Sequence, residues 1–181
     1  MEANEAQELQ EHAEHAEHEK SLRPVALTMT ILAVLVAVVT VLGHRTHTDA
    51  ILNQAKASDT WNEYQAKKNR AYDTALVTDL LSVVTIADKE VAGKIVKGYS
   101  GHQEKWAEDL ENLMKQAEGF EAKVELAEHK ADRFDLGEVL LEIGLVVTSI
   151  TLLTRKRAYW FAGLAFSAVG VVAAVLGLLL K

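Results

Sequence analysis

The chain has 181 residues, 49% of them hydrophobic and 25% charged, with a net charge of −7 and no cysteine. These figures exclude disulfide and thiol chemistry, and the missing basic patch excludes a nucleic-acid partner. The negative charge is local: residues 1–20 hold seven Glu and one Lys, and the rest of the chain is close to balanced.

The first segment, 1–22, is an acidic His/Glu-rich tail in which "EHAEHAEHEK" repeats every third residue and carries His12, His15 and His18. Three imidazoles invite a metal, or a gain of charge near pH 6. Period three drifts around a helix, so the imidazoles share only a broad face. A solvated tail competes with both readings. Val25–Leu42 then runs 18 residues without a charge. About 20 apolar residues cross a hydrocarbon layer of ~30 Å, so 23–43 reads as a first transmembrane helix. The acidic flank and the length of the run favour a retained anchor over a cleaved signal. Ala26, Thr30, Ala33, Ala37 and Thr40 form a small-residue stripe on it.

Residues 44–135 read as an extramembrane helical hairpin. The segment has no proline, and Gly93, Gly98 and Gly101 are its clear breakers, so the turn is expected in 93–101. The arms would then differ by ~20 Å at ~1.5 Å per residue, which calls for an interruption of the first arm near "SVVTI" or a fold-back. In the second arm Trp106, Leu110, Leu113, Ala117, Phe120, Val124, Ala127, Ala131 and Phe134 alternate at spacings of four and three, the signature of a coiled coil. Ala57, Trp61, Tyr64, Lys68, Ala71 and Ala75 follow the same rhythm in the first arm. This seam is read either as the hairpin's own core or as a joint between subunits. His44, His47, His102 and His129 are scattered and read as surface residues.

Residues 136–154 read as a second transmembrane helix despite Glu138 and Glu142. The heptad continues into it through Glu138, Leu141, Leu145, Thr148 and Leu152. An acidic stripe, Glu121, Glu125, Glu128, Asp132 and Asp135, descends toward the same two carboxylates. Charged groups in a bilayer face protein or water rather than lipid. Asp132, Asp135, Glu138 and Glu142 therefore compete as a packing contact, a cation or proton site, or a lipid or partner site. Arg155, Lys156 and Arg157 crowd the next loop. Short basic loops stay cytoplasmic, which puts the N-terminus in the cytoplasm and 44–135 outside. The third transmembrane helix, 158–181, has Tyr159 and Trp160 at its interfacial start. Gly163, Ser167, Gly170, Ala174 and Gly177 form a second small-residue stripe, for packing within the chain or between chains.

No phosphate-cradling loop, nucleophile elbow or HExxH motif is present, so no enzyme is expected, and no cofactor. "DTWNEYQAKKNR" from Asp59 and "DRFDLGEVLLEIGLVVTSITLLTRKRAYWFAGLAFSAVG" from Asp132 resemble a bacterial family of small membrane proteins known only as a domain of unknown function, DUF4337. The resemblance implies a bacterial membrane protein of three spans and brings no activity or site residue.

The expected fold class is therefore an all-α membrane protein: three transmembrane helices with an extramembrane helical coiled coil between the first and second. A homo-oligomer in the bacterial inner membrane, contacting lipid, is expected. Its function is expected to be structural, as a scaffold. The competing expectation is a cation channel or transport subunit lined by the acidic stripe with Glu138 and Glu142.

Overall fold

The structure is a computed structural model that describes residues 22–85 and 88–180. The described residues form three helices and no strand: α1 over Arg23–Val83, α2 over Lys89–Thr154 and α3 over Arg157–Leu179. Each contains a stretch long and apolar enough to span a membrane. Pro24 stands in the first turn of α1, where its missing N–H costs nothing.

The expected turn at the glycines is corrected. Gly93, Gly98 and Gly101 lie inside α2, and a side chain at any of them would meet open space. A helical glycine costs about 1 kcal/mol against alanine, too little to break a helix whose other face is packed. The chain leaves the helix after Val83, within the "SVVTI" run, whose β-branched side chains crowd a helical turn. It re-enters under a cap: Asp88 Oδ1 accepts from the backbone N–H groups of Glu90 and Val91 at 3.0 and 3.1 Å.

At the other connection, Arg155 occupies the left-handed region (φ 56°), a position more often given to glycine. Its N–H still reaches the Thr151 carbonyl at 2.8 Å. That conformation lets α3 begin at Arg157 after only Arg155 and Lys156.

The chain divides into two compact units, Met1–Asp49 with Leu126–Lys181, and Ala50–Glu125. In the first, Val25, Met29, Leu32, Val36 and Val39 of α1 are buried with Phe134, Leu141 and Leu145 of α2 and Ala174 of α3. Of the small-residue stripe on α1, Ala26 is buried and Thr40 half-buried within the chain, and Thr30, Ala33 and Ala37 are exposed. The heptad register of Val25, Met29, Leu32, Val36 and Val39 turns the larger side chains inward.

The second unit is an antiparallel pair of helical segments. Lys56 lies over the Phe120 ring at 5.9 Å, and Lys67 reaches Asp109 at 3.2 Å. Ala57, Leu113, Ala117 and Val124 are its most enclosed seam positions.

Candidate functional site

The α2 seam is built as its rhythm prescribes. Leu113, Ala117, Val124, Ala127, Ala131, Phe134, Leu141, Leu145 and Thr148 are buried, and Trp106, Leu110, Phe120, Glu138 and Leu152 are half-buried. The buried positions are covered within one chain. Trp106 stacks on His102 at 5.7 Å between ring centroids.

Glu138 falls on the seam and is met from α1. Thr40 Oγ1 donates to Glu138 Oε1 at 2.6 Å and also lies 2.9 Å from its own helix's Val36 carbonyl. One turn earlier on α2, both oxygens of Asp135 lie 3.1 and 3.3 Å from His47 Nε2. Gly43 makes room there: a side chain at this position would meet Asp135 Oδ1 at 3.4 Å and Phe134 Cβ at 3.5 Å. Among the expected site residues, Asp132 is exposed, Asp135 exposed but paired, and Glu138 and Glu142 half-buried. His47 is a surface residue, as expected, and is paired there with Asp135. Nothing in its sequence neighbourhood signals this, because the contact bridges residues 88 apart.

In the second unit Glu121 of the acidic stripe is engaged, and other carboxylates are paired beside it. Trp61 Nε1 donates to Glu121 Oε1 at 2.7 Å. Lys67 holds Glu63 at 3.1 Å and Asp109 at 3.2 Å, and its ammonium is raised above its ordinary value by those two hydrogen bonds, Glu63 first. The Lys115 hydrogen bond, at 2.6 Å, lowers the Glu111 carboxyl.

Gly163, Ser167, Gly170 and Gly177 are buried on one face of α3, and α2 is what covers them. A methyl group on Gly144 would lie 2.8 Å from the Gly163 carbonyl oxygen, and one on Gly170 would lie 2.8 Å from that of Gly137. Backbone therefore meets backbone. The hydroxyls at this contact turn back on their own helices, Thr148 to Gly144 at 2.7 Å and Ser167 to Gly163 at 2.8 Å. Thr151 Oγ1 is buried with no hydrogen-bond partner among the described residues. The second α2 seam, Gly137, Gly144 and Thr151, escaped sequence reasoning. Its seven-residue spacing was available as a signal, masked by the stronger heptad beside it.

Among the described residues no group of three or more His, Asp or Glu is placed to hold a metal. His12, His15 and His18 lie outside the described residues.

An all-helical fold, three helices apolar enough to span a membrane, and carboxylates held on an interhelical seam define a class of membrane-compatible helical proteins. Within that class the chain belongs to the family described as a domain of unknown function, DUF4337, whose model matches residues 21–180. None of the curated proteins or solved structures compared with the chain matches it.

Proposed function

We propose that the protein is a homo-oligomeric scaffold of the bacterial inner membrane, with α1, α2 and α3 each crossing the bilayer once and 44–135 forming an extramembrane helical hairpin. The basic loop at Arg155–Arg157 supports a cytoplasmic N-terminus. The observation that carries the scaffold reading is an apolar face left uncovered in the second unit. Tyr72, Leu76, Leu80 and Val83 are 51–79% exposed, although no lipid would surround them outside the membrane. A contiguous exposed apolar patch marks a contact surface. A second copy of the chain is the occupant proposed.

Native mass spectrometry from lipid nanodiscs tests this. Wild type is expected as an oligomer, and Leu76→Glu with Leu80→Glu as a monomer of unchanged helicity. A monomeric wild type would refute the reading.

The alternative is a cation path, favoured by Glu142, which is half-buried within an apolar run. The Thr40 contact to Glu138 supports a packing role for that residue instead. Cation flux into liposomes that falls in Glu138→Gln with Glu142→Gln, with assembly intact, would favour the channel.

A further inference from the structure

The starts of α1 and α3 meet at one end of the first unit. Trp160 Nε1 donates to Thr28 Oγ1 at 3.2 Å. Arg157 lies one turn before Trp160, and Arg23 less than two turns before Thr28. Arg155, Lys156 and Arg157 join α2 to α3 at the same end, so four cations converge there, all of them exposed. No Asp or Glu occurs between Leu22 and Gly43 or from Ile143 to Lys181. Two helix N-termini and one C-terminus meet at this end, which adds to its positive potential. The first N–H groups of α3 have no side-chain cap.

We propose that the chain's own residues 1–20 dock on this end, with their glutamates on Lys156 and Arg157. Arg23 and Arg155 have interactions of their own, and the assignment needs neither of them. Lys156 and Arg157 form no ion pair among the described residues. Residues 1–20 carry seven Glu against Lys20, a net charge of −6 in a chain whose total is −7. They are attached at the basic end itself. Glu17 precedes Arg23 by six residues and Glu8 by fifteen, reaches of up to about 20 and about 50 Å, against about 10 Å between packed helices. A single exposed ion pair is weak. The tether offsets this by holding several carboxylates near the cations at an effective concentration on the order of millimolar. The juxtaposition is set by the fold and stands in either membrane orientation. Its consequence is competition: the tail denies the basic end to anionic lipid headgroups, which the same cations would otherwise attract.

The test uses the full chain in phosphatidylcholine nanodiscs. Spin labels are placed on Ala13→Cys and Ala158→Cys, and double electron–electron resonance reads the distance between them. A narrow short-distance component is expected in the otherwise unchanged chain. It should be lost in Lys156→Gln with Arg157→Gln, and at about 1 M salt, where the Debye length is about 3 Å. Neutralising the tail by Glu8→Gln, Glu11→Gln, Glu14→Gln and Glu17→Gln together should also remove it. The same four changes should raise the fraction of chain carrying phosphatidylglycerol several-fold in native mass spectrometry. An unchanged distance distribution in either set of variants would overturn the proposal. A component that disappears on dilution with unlabelled protein would overturn it too, assigning the basic end to the tail of a neighbouring copy. So would equal phosphatidylglycerol binding with and without the tail's charge, which would leave the basic end to lipid headgroups.

Discussion

Thr40 and Glu138, 98 residues apart in the chain, are joined by a hydrogen bond of 2.6 Å between α1 and α2. The contact turns one of the two carboxylates of the second apolar run into an interhelical tie. Hydrogen bonds between helices in a bilayer contribute about 0.6–2 kcal/mol each. A double-mutant cycle with Thr40→Val and Glu138→Leu, measured by unfolding in detergent micelles, should return a coupling of about 1 kcal/mol. Additive effects of the two changes would show that the contact carries no energy.

The α2–α3 contact should resist even one added carbon. Alanine at Gly163 would place its methyl 2.6 Å from the Gly144 carbonyl oxygen, so Gly163→Ala should cost about 1–3 kcal/mol. Gly119→Ala is the opposite case, because nothing lies within 4 Å of that position. It should stabilise by about 1 kcal/mol through helix propensity. Thermal unfolding of the two variants should move in opposite directions.

Both chain reversals also give signed expectations. Removing the Asp88 cap by Asp88→Ala should cost about 1 kcal/mol. Arg155→Gly should relieve a left-handed backbone and stabilise by about 1 kcal/mol, provided orientation is unchanged in a protease-protection assay. A destabilised Arg155→Gly would mean that the guanidinium outweighs the backbone strain.

Lys67 gives a pH signature. Its folded value is raised above 10.5 by Glu63 and Asp109. Its contribution is therefore complete below pH 10.5 and is lost as pH rises through the folded value. The unfolding midpoint should fall in alkali, and Lys67→Arg, which keeps its charge there, should fall less. Identical alkaline profiles would remove Lys67 from the cause. At the acid end, the lowered Glu111 contributes above 4.5 and is lost as pH falls through its depressed value.

The α2 seam was legible from Trp106 to Leu152 because the heptad period is a property of the sequence. Partners were not. Glu138 announces a need for a polar neighbour, yet nothing local selects Thr40. On α1 the face that packs within the chain is set by Val25, Met29, Leu32 and Val36, a register that the small-residue stripe did not announce. Gly93, Gly98 and Gly101 misplaced the turn, since exposed glycines weaken a helix without ending it. The cap at Asp88, followed by Glu90, was the local signal that should have located it.

The central claim is that Glu138 is held against Thr40 of its own chain. Because the chain has no cysteine, Thr40→Cys with Glu138→Cys, oxidised in intact membranes, tests it against a clean background. The result predicted is a disulfide within one chain, seen as a faster-migrating monomer band. Covalent dimers as the main product would contradict it.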